Sequence, residues 1–263
     1  MTLWNGRTPA LALTAALLCA APTFAAETKK EVYSFGTLHQ MDAAAARDQA
    51  KKWLTDAGKF DAKAFDAIWA AEEKPLVDKL ADTFVLGNEH AAKVMKLARD
   101  ADAPPPENIP SVLKDTKLPA FFRANLALAY GKALAGRKVY EEALEALKAA
   151  RPEEVVDPAS YLFHKAVAEH ALMLKEQADD SVDRLLVDAA DSPERYRMVA
   201  ALMHFDMLTW KDKDLGWIAR KMGVIKDRLD LTRGGKKTQT MQKEVVVRLD
   251  EMIKEIENKK GGS

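Results

Sequence analysis

The stretch RLDLTRGGKKTQTMQKE, Arg228–Glu244, decides the fold. A glycine pair followed by Lys-Lys-Thr has the look of a phosphate cradle, which would require a strand before it. Such a cradle needs another glycine five residues before Gly235, where this chain carries Asp230. Upstream, Ile218, Met222, Ile225 and Leu229 recur at helical spacing, and downstream Met241, Val245, Leu249, Met252 and Ile256 do the same. The segment therefore reads as the corner of an antiparallel helical hairpin, with Gly234 and Gly235 stopping the first helix in the left-handed conformation that glycine adopts at least cost. Arg233, Lys236 and Lys237 are expected to stay exposed there, a weak anion contact beside a helix N-terminus.

Outward from this corner the same periodicity continues, so the fold class read from the sequence is all-α, with no strand. Asp42 is a cap for a first helix that Gly58 ends, Asp61 opens a second, Pro75 a third, and Asn88 caps a fourth after Gly87. The run APPPENIP marks the end of an N-terminal helical region (26–103) and gives a proline-rich linker, 104–110. Further starts fall near Pro119, Val139, Pro158, Asp180, Pro193 and Asp214, so first members of successive pairs lie about 35 to 39 residues apart, the period of a stacked helix-turn-helix solenoid. This array spans 111–211. A closing hairpin, 212–258, is expected to cover its last apolar edge, and 259–263 to be a disordered tail.

Within the array, ANLALAYGKALAGRKVYEEALEALKAA resembles a tetratricopeptide repeat. Leu126, Ala127 and Tyr130 match the first helix, Gly136 the turn, and Tyr140, Ala143, Leu147 and Ala150 the second helix, with about four extra residues between Tyr130 and Tyr140. The resemblance implies a right-handed stack of helix pairs whose groove takes a peptide or protein partner. The later pairs, YLFHKAVAEHALML and PERYRMVAALMHFDML, keep the size pattern without the consensus. The tail from Asp212 also resembles the ends of uncharacterised exported helical-repeat proteins of planctomycete-type bacteria, which implies no activity.

The N-terminus carries one positive charge, Arg7, an uncharged run from Ala10 to Ala21, and small residues at Thr23 and Ala25. That is the layout of a secretory signal peptide, 1–25, and it predicts a secreted or periplasmic protein cleaved near Ala25. No later segment is apolar enough for stable membrane insertion. The single cysteine, Cys19, lies inside the signal, which leaves the mature chain without disulfides or thiolate chemistry. Acidic and basic residues balance at 40 each, which gives no general attraction to nucleic acid.

The chemistry-bearing residues read mostly as structural. His164 and His170 fall on opposite sides of a helix, His204 lies in an apolar surround, and Ser160, Ser181 and Ser192 read as capping serines before helices, so neither a metal nor a cofactor nor a nucleophile is expected. Carboxylate pairs such as Glu141–Glu142 sit at helix starts, where the macrodipole favours them. Groove-facing polar positions on the first helices are Arg123, Asn125, Lys132, His164, Lys165, Glu169, Arg195 and Arg197, the expected partner-binding residues. The function expected is a non-catalytic protein-binding or scaffold module. The alternative is an envelope hydrolase or polymer-binding accessory protein.

Overall fold

The structure is a computed structural model that describes residues 35–261, all within one compact unit. The expected leader, 1–25, lies outside the described residues. Among these residues there are eleven α-helices, two short 3-10 turns, and no strand beyond a single parallel bridge between Leu38 and Ala189. The expected all-helical class is what the structure has.

The first helix, α1 (Ala43–Asp56), starts where the Asp42 carboxylate accepts from the amides of Ala44 and Ala45, and ends at Gly58, left-handed with φ 65°. Asp61 caps α2 (Ala62–Trp69) in the same way. Then follow α3 (Leu76–Gly87), after Pro75, and α4 (Glu89–Arg99), capped by Asn88. Gly87 has a reason the sequence does not display. A Cβ there would sit 2.4 Å from the Trp53 ring of α1, so its absence lets α1 and α3 approach. Trp53 in turn stacks on Phe122 at 4.8 Å and meets Phe84 edge-on at 5.0 Å, joining α1 and α3 to α5 (Ala120–Gly136).

Helix α5 is the axis of the molecule. It is buried along most of its length, with α3 and α4 on one side and α6 (Tyr140–Leu147) and α7 (Pro158–Ala171) on the other. Its one buried amide, Asn125, donates to the carbonyl of Phe121 (2.8 Å) and accepts from the Val156 amide (2.8 Å), which fixes the approach to α7. Then come α8 (Lys175–Val187), α9 (Glu194–Leu208), α10 (Leu215–Asp230) and α11 (Lys236–Gly261). Helices α3, α5, α7 and α9 pack in succession as one layer, and α6 and α8 back it. The proline run at 104–110 crosses this body without dividing it. Arg137 at the end of α5 donates to the carbonyls of Leu97 (2.9 Å) and Ala103. The segment before α1 likewise reaches across to the far end of α8, through Gly36 to the Val187 carbonyl and Leu38 to that of Asp188, both at 2.9 Å.

Three helix ends depart from the expected glycine logic. Lys138, Met173 and Thr232 are left-handed at φ 61°, 60° and 60°, although a Cβ makes that conformation cost about 1 kcal/mol. Each lies inside the same closing pair of bonds, shown by Val139 to Leu134 (3.0 Å), Leu174 to Glu169 (2.9 Å) and Arg233 to Arg228 (2.8 Å). The residues after the first two, Val139 and Leu174, place apolar side chains at the start of the next helix, which is why α8 begins at Lys175 rather than near Asp180. At the corner that opened the sequence reading, Thr232 makes the stop, neither Gly234 nor Gly235 has a positive φ, and a Cβ on Gly235 would meet nothing. Helix α11 continues to Gly261, into the expected tail.

Two glycines give opposite expectations. Gly87→Ala overfills the contact with Trp53 and costs about 1–3 kcal/mol in thermal melts followed by circular dichroism. Gly223→Ala, inside α10 with no atom within 4 Å of the new carbon, stabilises by about 1 kcal/mol in the same assay.

Candidate partner-binding surfaces

The eight expected groove residues divide sharply. Asn125 and Glu169 are buried and serve the core. Glu169 accepts from Lys165 Nζ (2.8 Å) and from Ser181 Oγ (2.6 Å), and Lys165 also donates to Ser181 Oγ at 2.7 Å. An amine, a hydroxyl and a carboxylate in mutual contact could support nucleophilic chemistry, but Ser181 is 0 % exposed and Glu169 1 %. No substrate reaches the hydroxyl, and the trio acts as a brace between α7 and α8. Ser181 is thus an interior residue of α8, not a cap. Arg123 is half-buried near Glu154, with its Nε enclosed and unbonded. Arg197 is exposed, on the other side of α9 from Arg195.

Lys132, His164 and Arg195 do come together, one on each of α5, α7 and α9. Lys132 Nζ donates to Asp78 of α3 at 2.8 Å. His164 donates Nδ1–H to the Ser160 carbonyl (2.7 Å), and burial, reinforced by the positive charges of Lys132 and Arg195, lowers its pKa from 6.5 to about 4. Asp157, which caps α7 through the Ser160 amide (2.8 Å), is pushed up by burial, with Lys132 and Arg195 opposing. Phe163 stacks on Tyr196 at 4.1 Å, and the Arg195 guanidinium lies 5.0 Å from the same tyrosine ring. A polar row of both signs, bordered by an aromatic pair, therefore crosses four helices of one layer.

The basic corner is different from its sequence reading. Arg233 is not a free cation: it binds Glu142 at 2.9 Å and Glu141 at 3.3 Å, and donates to the Pro106 carbonyl at 3.2 Å. Lys237 Nζ lies 2.6 Å from Glu141, and Arg228 Nη1 lies 2.5 Å from it. Of the three expected exposed cations, Lys236 and Lys237 are exposed, Lys237 while paired with Glu141, and both line an open cleft with Pro104, Pro105 and Glu107. Glu141 feels burial, which raises its pKa, but the hydrogen bonds from Lys237 and Arg228 prevail and hold the carboxyl below its ordinary value. The acidic pair at the start of α6 is thus the anchor of the closing hairpin. Its partners lie far along the chain, so no local pattern announces it.

Because that anchor and the Lys138–Asp227 pair draw α10 across the turns between helices, the hairpin does not cover the end of the layer. Among the described residues the outer face of α9 lacks the expected closing cap. On α9, Tyr196, Ala200, Met203 and Met207 face inward, while Met198, Leu202, Phe205 and Leu208 on the opposite side are 59 to 65 % exposed. Glu194, Arg195, Arg197, His204 and Asp206 share α9 with these side chains, so among the described residues its outer face carries a large exposed apolar patch within a mixed helix.

One trio could hold a metal ion. Asp179 and Asp183 of α8 and His204 of α9 bring donor atoms within 4.8 Å of one another, though His204 Nδ1 and Asp179 already pair at 2.6 Å. Among the described residues no helix is long and apolar enough to cross a membrane. Compared with known protein families, curated proteins and solved structures, the chain matches none.

Two measurements probe these sites. The folded His164 holds its proton less tightly than the unfolded one, so the unfolded chain takes up an extra proton between pH 6.5 and about 4, and stability falls as pH falls through that window. His164→Gln is expected to flatten the pH dependence of denaturant midpoints by up to about 1.4 kcal/mol per pH unit. Glu141→Gln leaves three cations facing a neutral amide. It is expected to cost about 1–3 kcal/mol and to speed amide exchange in α10 and α11 while α5 keeps its protection.

Proposed function

We propose that the protein is an exported, non-catalytic binding or scaffold module, built as a tetratricopeptide-like stack of helix pairs, that recruits a protein partner. The observation that carries this reading is the bare outer face of α9, where four large apolar side chains leave about 60 % of their surface open on the last helix of the layer. Together they amount to roughly 500 Å², at the upper end of what an ordinary monomer exposes. In a stack of helix pairs each layer buries the one before it, and an amphipathic helix from a partner supplies the next layer. The recurrence of one helix-stop geometry at Lys138 and Met173, about 35 residues apart, supports the repeat reading.

The polar row of Lys132, His164 and Arg195 borders the same helix through Tyr196 and gives such a partner charged contacts for orientation. Against the alternative of an envelope hydrolase stands the closed Ser181–Lys165–Glu169 brace, whose hydroxyl is covered on all sides. Export rests on the signal-like N-terminus alone.

The test is quantitative recovery of partners from an envelope extract with the purified chain, followed by crosslinking from position 202. Phe205→Glu is expected to reduce recovery at least tenfold, and Arg195→Ala to weaken it less. Undiminished recovery by Phe205→Glu would remove α9 as the docking surface.

A further inference from the structure

The closing hairpin carries a second uncovered apolar face. On the inner side of the hairpin Ile218, Ile225 and Val245 are the buried apolar residues, with Trp217, Met241 and Met252 packed against them. The two sequence stripes therefore meet only in part. On α10, Leu215, Met222 and Leu229 recur one heptad apart and are 45 to 65 % exposed. On α11, Val246, Leu249, Ile253 and Ile256 follow at alternating three- and four-residue steps and are 38 to 56 % exposed. Met222, Leu229 and Val246 line one apolar groove between the two helices, so these rows share a face.

The hairpin also has an overhang. Arg248 Nε of α11 donates to the Lys213 carbonyl (2.6 Å), just before α10 begins at Leu215. A turn beyond that level Met252 still packs back on the hairpin core, and from there α11 runs on to Gly261 past the end of its partner, with Ile253 and Ile256 in this last part. A short helical end of this kind without a packing partner is marginal in water.

We infer that this face pairs with the same face of a second copy of the chain, two hairpins closing into a four-helix bundle. Seven large side chains, each about half open, offer roughly 600 Å² per copy, and with their polar borders they reach the ~800 Å² that each partner of a standard interface contributes. Three- and four-residue spacing on both helices is the seam pattern of such bundles. The borders carry both signs, with Lys226 and Asp230 paired at 2.6 Å on α10 and Asp250, Lys254 and Glu257 on α11. The full chain has 40 acidic and 40 basic residues, so no large net charge opposes association. A two-fold pairing would let the overhang of one α11 lie along the hairpin of the other and would leave the outer face of α9 outside the dimer contact.

The experiment is the mass of the purified, exported protein by light scattering on a sizing column and by sedimentation velocity at tens of micromolar, with flotation on phosphatidylglycerol vesicles as a parallel arm. The native chain is expected at twice its monomer mass and in the vesicle-free fraction. Met222→Lys and Ile253→Lys, each with unchanged far-ultraviolet circular dichroism, are expected at monomer mass. A monomeric native chain, a dimer that survives both lysine variants, or a native monomer that floats with vesicles would each overturn the inference. Since the variants leave α9 intact, partner recovery through that helix can be measured on the same proteins, and failure of one reading is separable from failure of the other.

Discussion

The structure depends on α5 being enclosed. A helix so rich in alanine and leucine, with Asn125 as its one fully buried polar side chain, is stable only when neighbours surround it, and the chain supplies them from both directions. Helices α3 and α4 come from before it and α6 and α7 from after it. Trp53, Phe84 and Phe122 fill one side, at ring separations of 4.8 to 5.0 Å. Asn125 satisfies both of its polar ends on the other, through Phe121 and Val156. Because the core runs through α5, the proline segment before it behaves as a crossing within one body. The expected division into an N-terminal region and a repeat array reflects composition rather than packing.

Enclosure weakens towards the C-terminus. Helix α9 is covered on one side, and the hairpin of α10 and α11 has a small core of its own. Glu141 ties that hairpin to α6 by taking Arg228 and Lys237 at 2.5 and 2.6 Å, and Leu231 packs against the main core. Charged anchors of this kind set direction more than they add stability, since partial exposure and desolvation offset much of the attraction. They hold α10 against the turns between helices, so that it meets only the end of α9, where Arg220 lies 4.7 Å over the Trp210 ring. Two apolar faces are left open among the described residues, the outer side of α9 and the exposed side of the hairpin.

Much of the local structure was legible in the residues. The caps at Asp42, Asp61 and Asn88, the starts after Pro75, Pro119 and Pro193, and the helical corner at Gly234–Gly235 all follow from short-range rules that tertiary contacts here reinforce. The reasons were less legible than the positions. Gly87 ends α3 as expected but also makes room for a tryptophan, and Thr232 does the stopping expected of Gly234 and Gly235. Of the expected partner-binding residues, Lys132, His164 and Arg195 share a site, whereas Asn125 and Glu169 are interior. Periodicity places a residue on a helix face but does not say which neighbour lies over it.

The sequence by itself determined that this chain is helical, where most of its helices begin and end, and that its corner holds no nucleotide-binding cradle, because those outcomes depend on residues within a few positions of one another. Tertiary structure alone decided that Glu141 gathers Arg228, Arg233 and Lys237, that Ser181 is sealed between α7 and α8, and that α9 ends the layer uncovered. Those outcomes depend on which distant helices come within reach, and an apolar or charged side chain reads the same in sequence whether or not a partner arrives to meet it.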